Sequence, residues 1–233
     1  MPEKFVNVDG RSLWSESVGL DQAGTILLVA GANAPALMWP EEFVELLISK
    51  GYRVIRYDHR DTGRSTFMGF DEAPYTVEDL AADAVAVLDE WGVHKAHVVG
   101  LSIGATLGQV LALEHPERLY SLTLMCGAAL DVDFVGNIAR AFSGESSPDD
   151  LPLPNREVLE ALSQRATPSN TMEEELDRRV KEWSLLSGNK LEFNESDFRL
   201  REQRSIEHAG TWEQPGNHAM ATPVSLSRGE ELK

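Results

Sequence analysis

The chain has 233 residues, 42% of them hydrophobic and 25% charged, the balance of one globular unit large enough to bury a core. A formal net charge of −17 repels a phosphate backbone and argues against nucleic acid as a partner. One cysteine, Cys126, excludes an internal disulfide, and with no leader-like start and no apolar run near the ~20 residues of a membrane span, a cytoplasmic protein without a membrane partner is expected.

Residues 5–8 and 12–15 read as strands flanking Asp9-Gly10, a two-residue hairpin signal. Residues 25–29 are continuously apolar, as in a strand buried on both faces. Residues 41–50 predict a helix with Phe43, Leu46 and Leu47 on one face and Gly51 as its stop, and residues 54–57 the next strand. Thr76 to Asp79 resembles a capping box, opening a helix with Leu80, Ala84, Val87, Leu88 and Trp91 on its apolar side and Gly92 as its end. Residues 96–99 read as a buried strand, 103–115 as a helix stopped by Pro116, and 122–125 as the last clear strand. This alternation predicts a mostly parallel sheet with helices on both faces. Beyond about residue 128 only helical segments and polar linkers are expected. Residues 143–154 read as a loop, 173–186 as an amphipathic helix and 214–233 as a loosely ordered tail.

Gly100-Leu101-Ser102-Ile103-Gly104 matches Gly-x-Ser-x-Gly between an apolar strand and a helix, the setting of a nucleophile elbow. A serine on so sharp a turn is presented at the top of the sheet, and the glycines remove side chains that would clash there. The N–H of Ile103, at the start of the helix, can stabilise an oxyanion. An incidental serine in a glycine-rich turn is the competing reading. The loop after residues 25–29, Gly31-Ala32-Asn33, is either the source of a second oxyanion donor, Ala32, or an ordinary turn. Residues 58–65, Asp-His-Arg-Asp-Thr-Gly-Arg-Ser, are expected to satisfy loop backbone groups and brace the elbow. His59 precedes the serine, the wrong order for a base in such a fold.

Three segments together resemble the α/β-hydrolase superfamily, and within it the aclacinomycin methylesterase group of polyketide-modifying esterases. They are Val54 to Ser65, Leu80 to Asp89, and His97-Val98-Val99-Gly100-Leu101-Ser102. The resemblance implies Ser102 as nucleophile, the backbones of Ala32 and Ile103 as oxyanion hole, and no metal or organic cofactor. It implies hydrolysis of a small-molecule carboxylic ester, such as a methyl ester on a polycyclic substrate. It also implies a core over residues 1–130, a helical cap over 131–222 and a tail over 223–233.

Members of that superfamily continue past the cap with two strand–helix units, the first carrying an Asp loop and the second a Gly-x-Gly-His loop. No Gly-x-Gly-His segment is present in this sequence, so a C-terminally truncated core with an exposed sheet edge is expected. An oligomer or a second chain is the expected way to complete the sheet. His115 lies ~18 Å from Ser102 along its helix, which leaves His208 and His218 as candidate bases, His218 the better placed. Asp131 and Asp133 are candidate acids or solvated carboxylates. Asn33, Trp39, Trp183 and Trp212 either line a substrate pocket or pack in the interior. Cys126 is read as a small core residue. A non-catalytic binding protein and an inactive truncated product are the alternative functions.

Overall fold

The computed structural model describes residues 2–152, 155–164, 167–213 and 216–233. Strands β1 (Glu3–Val8) and β2 (Arg11–Val18) form the expected hairpin. Asp9 and Gly10 both adopt positive φ, 47° and 77°, the twist a two-residue turn needs. Then follow β3 (Thr25–Val29), α1 (Glu41–Ser49), β4 (Arg53–Tyr57), α2 (Val77–Glu90), β5 (Ala96–Leu101), α3 (Ile103–Glu114) and β6 (Leu119–Met125). The strands make one six-stranded sheet in the order β1-β2-β4-β3-β5-β6. The pairs β1–β2 and β2–β4 are antiparallel, and the rest are parallel.

Strand β3 shows why its sequence is apolar throughout. Leu27 and Val29 face a core shared with Leu80, Ala84 and Val87 of α2 and Leu107 of α3. Ile26 and Leu28, at the alternate positions, face a second core with Trp39 and with Val44 of α1. A strand with helices over both faces has no solvent side to make polar. The chain turns to β4 on one side of β3 and then crosses to β5 on the other. The carboxyl ends of β3 and β5 therefore diverge, and that crevice is where open α/β sheets bind ligands.

The region after β6 is helical among the described residues: α4 (Phe134–Ser143), α5 (Arg156–Gln164), α6 (Met172–Leu186) and α7 (Glu195–Ala209). The loop expected over 143–154 is shorter, because Ser143 closes α4, and its last two positions lie outside the described residues. Two expectations need correction. The tail is docked: Thr222 bridges to Thr76, Ala221 and Val224 enter the core, and Asn217 and His218 are buried. Its first two positions, Gln214 and Pro215, lie outside the described residues. Cys126 is exposed, because β6 is the edge of the sheet. Along β6, Tyr120 is 62%, Leu124 45% and Met125 39% exposed. A strand paired on one side only, with one face uncovered, leaves apolar side chains in water.

Candidate active site

At the end of β5 the backbone reverses at Ser102, with φ 56° and ψ −118°, a conformation a side-chain-bearing residue holds only when its surroundings enforce it. The flanking glycines make so close a turn possible. A Cβ on Gly100 would lie 2.1 Å from the Gly104 carbonyl oxygen, and one on Gly104 would lie 2.4 Å from the Val29 oxygen. The Ser102 N–H donates to the Met125 carbonyl at 2.9 Å, tying the turn to β6. The Ser102 side chain is exposed, and Ile103 opens α3 behind it. The first N–H groups of a helix have no partner within it, so the Ile103 amide is available to a developing anion.

Loop 30–35 passes beside the serine: a Cβ on Gly31 would sit 3.7 Å from Ser102 Cβ. The donors of this loop are nearly all engaged. Gly31 N–H points to Met38 Sδ, Asn33 N–H donates to His218 Nδ1 at 2.8 Å, Ala34 N–H to the Gly31 carbonyl and Ala36 N–H to Asp58 Oδ1. The Ala32 N–H alone in residues 31–34 has no partner among the described residues. The structure thus sets the loop that carries Ala32 beside Ser102, at the start of α3.

The candidate base His218 and the candidate acid Asp133 are engaged with other partners. His218 is buried, and both ring nitrogens are occupied: Nδ1 accepts from Asn33, and Nε2–H donates to the Arg60 carbonyl at 2.9 Å. Burial pushes its pKa below the usual imidazole value. An imidazole so engaged cannot take the Ser102 proton, so the expectation of His218 as base is corrected. Asp131 has an exposed side chain and its backbone lies under Gly229; neither nitrogen of His218 turns to it. Asp133 caps α4 through Gly136 N–H and pairs with Arg140. His208, the other candidate, donates to Asp58 Oδ2 at 2.7 Å. His115 caps the far end of α3. Trp39 is a core residue stacked on Phe43, not a pocket wall. Trp183 packs on Phe198 and donates Nε1–H to Glu202, between α6 and α7. Asn33 does line a small cleft, with Asp61, Thr62, Arg179, Ser205 and Glu213.

Residues 58–65 act as the sequence suggests. Asp58 accepts from Ala36 N–H, Arg64 N–H and His208, so one carboxylate fixes the loop after β3, its own loop and α7. His59 is fully buried, donates Nε2–H to the Ala30 carbonyl at 3.1 Å and is pushed down to about 3 by burial. Arg60 makes two hydrogen bonds to Asp83 of α2, at 2.7 and 2.5 Å. Burial pushes the Asp83 carboxyl up against the pull of that guanidinium. A charge among the apolar positions of α2 was the signal for this pair. The contacts of His218 had none, because its partners lie 185 and 158 residues away. No group of three or more His, Cys, Asp or Glu among the described residues is arranged to hold a metal ion.

Known proteins bear on this site. The rhodomycin D methylesterases DnrP of Streptomyces peucetius and DauP of Streptomyces sp. strain C5 are each 48% identical over 232 residues, covering 100% of this chain and 78% of their own length. An esterase from Exiguobacterium antarcticum superposes with a TM-score of 0.68 at 18% identity, over 98% of this chain and 76% of its own. A structure from a study of Nitrososphaera gargenis carboxylesterases gives 0.63 at 19% identity, over 98% and 75%. These two show the fold alone. Residues 24–182 match the family model described as the alpha/beta hydrolase fold. With its elbow at the sheet's switch point and its sequence matched over more than half its length, the chain belongs to the α/β-hydrolase family.

Proposed function

We propose that this chain is a carboxylic-ester hydrolase whose nucleophile is Ser102 Oγ and whose substrate is the methyl ester of a polycyclic, polyketide-like small molecule. The observation that carries the reading is the strained, exposed Ser102 beside the unpartnered Ala32 N–H. The substrate class rests on the names of the two methylesterases that match the chain from end to end. In the reaction Oγ attacks the ester carbonyl carbon. The oxygen anion that forms is held by the Ala32 and Ile103 amides. The tetrahedral intermediate collapses, methanol leaves with the serine proton, and water then releases the acid from the acyl-enzyme. Asn33, at the edge of the adjoining cleft, is the retained candidate for contact with substrate.

Among the described residues no side chain hydrogen-bonds the Ser102 hydroxyl, and a serine without a base is a poor nucleophile. A second copy or a separate chain on the open edge of β6, whose Met125 carbonyl holds Ser102, is where a base would enter. The same observation favours the second reading, a binding protein that keeps the crevice without turnover. The test treats the protein with a fluorophosphonate probe and follows p-nitrophenyl ester cleavage. An adduct mapped to Ser102, with turnover lost in Ser102→Ala, is the expected result. Without a triad base, turnover is expected to stay within ~10³–10⁴-fold of the water reaction. Adducts only at other residues, or turnover unchanged in Ser102→Ala, would reject the nucleophile. Labelling of Ser102 with no turnover would select the binding reading.

A further inference from the structure

Two buried histidines hold the oxyanion loop from below. His59 Nε2–H donates to the Ala30 carbonyl and His218 Nδ1 accepts the Asn33 N–H, so both ends of residues 30–33 are fixed to imidazoles. The rings meet edge to face with centroids 5.5 Å apart. Asn33 sits at φ 59°, a turn that the His218 bond holds in place. The segment that delivers His218 is itself anchored: Asn217 Nδ2 donates to Asp61 Oδ2 at 3.0 Å and to the Met68 carbonyl at 2.9 Å. Four groups face the His218 ring: His59, the Arg60 guanidinium, the Asp61 carboxylate and the Tyr75 ring.

We propose that His218 is a positioning residue for the ester hydrolysis proposed above, a neutral imidazole that pins the Asn33 amide and thereby leaves the Ala32 amide as the oxyanion donor. The inference rests on that reading. Donor and acceptor roles require it to be neutral. Asn33 N–H can only donate, so Nδ1 must be bare; the Arg60 carbonyl can only accept, so the proton is on Nε2. A second proton would set N–H against N–H and release the loop. Protonation is opposed by burial and by the Arg60 guanidinium, and favoured by the hydrogen bond to the Arg60 carbonyl and by Asp61.

The experiment compares the unmodified protein with His218→Leu, which has no acceptor, and His218→Asn, whose Oδ1 can take the Asn33 N–H without titrating. Two quantities are read from pH 5 to 8: the rate constant for fluorophosphonate labelling of Ser102, and the 15N chemical shift and hydrogen exchange of the Asn33 amide. Loss of one well-placed oxyanion donor costs ~10²-fold or more, so His218→Leu is expected to label at least ~10-fold more slowly, with a faster-exchanging Asn33 amide. His218→Asn is expected to recover most of the rate. It should also lack any fall on acidification that protonation of His218 brings to the unmodified protein. Equal labelling rates in all three proteins overturn the inference and leave Ser102 as nucleophile. A folded His218→Asn as slow as His218→Leu, with an acid limb like that of the unmodified protein, also overturns it. No labelling of Ser102 in the unmodified protein rejects the hydrolase reading, and the positioning role falls with it.

Discussion

Single residues at this site are constrained from several sides at once. Ser102 keeps a positive φ because Gly100 and Gly104 let the strand end and the helix start approach closely. His59 and His218 are held neutral beneath the loop, and that has a consequence in acid. The folded-state pKa of His59 is about 3, against about 6.5 for a free imidazole. Between those values the unfolded chain binds a proton that the folded chain refuses. Stability contributed by neutral His59 is therefore whole above about pH 6.5 and declines as pH falls towards 3, by up to about 1.4 kcal/mol per pH unit. Thermal unfolding measured from pH 7 to 5 is expected to show this slope, and His59→Phe is expected to flatten it. An unchanged slope in that variant would assign the acid sensitivity to other groups.

At the level of elements, β6 is the weak one. It is seven residues long, Leu-Tyr-Ser-Leu-Thr-Leu-Met, with no charge and no proline, the features by which sheet edges avoid pairing with other chains. Its exposed Tyr120 lies 5.7 Å from Lys95 Nζ. Tyr120→Glu would put a charge on the open edge beside a lysine that can pair with it. Sedimentation is expected to show self-association of the unmodified protein, reduced in the variant with little change in melting temperature. A strictly monomeric unmodified protein at tens of micromolar would remove the edge as a contact site. Strand β3, by contrast, is covered on both faces and paired on both sides, so the loop that carries Ala32 leaves from the centre of the sheet.

Across the whole molecule, one buried ion pair and a ring contact tie α7 to the core, and ion pairs tie the helices to one another. His208 at the end of α7 reaches Asp58, and its ring meets Trp14 edge-on at 4.5 Å. Arg179 of α6 pairs with Glu175 and Glu202, linking α6 to α7. Removing His208 leaves Asp58 with its Ala36 and Arg64 donors, so the sheet should persist while α7 loosens. In His208→Ala, hydrogen exchange is expected to speed along α7 and stay slow in β3 and β5. Uniform acceleration in all three elements would show instead that the helices and the sheet unfold together.

The sequence by itself determined the strands and helices of the first 125 residues, the hairpin at Asp9-Gly10, the capping box at Thr76 and the elbow at Ser102. Each is written in a local period or a short motif, where a residue's neighbours in the chain are also its neighbours in space. Only the tertiary structure decided the fate of His218, His208, Asp131, Trp39 and Cys126. Their roles depend on partners brought from far along the chain, or on which strand ends the sheet. In the sequence His218 is a polar residue in a stretch of Pro, Gly and Asn, as a base could be, yet Asn33 and Arg60 take both its nitrogens. Cys126 follows an apolar strand, yet lies in water because among the described residues no strand pairs beyond β6. Hydrophobic periodicity shows that a side chain can be buried, whereas packing over long sequence distances decides what it touches.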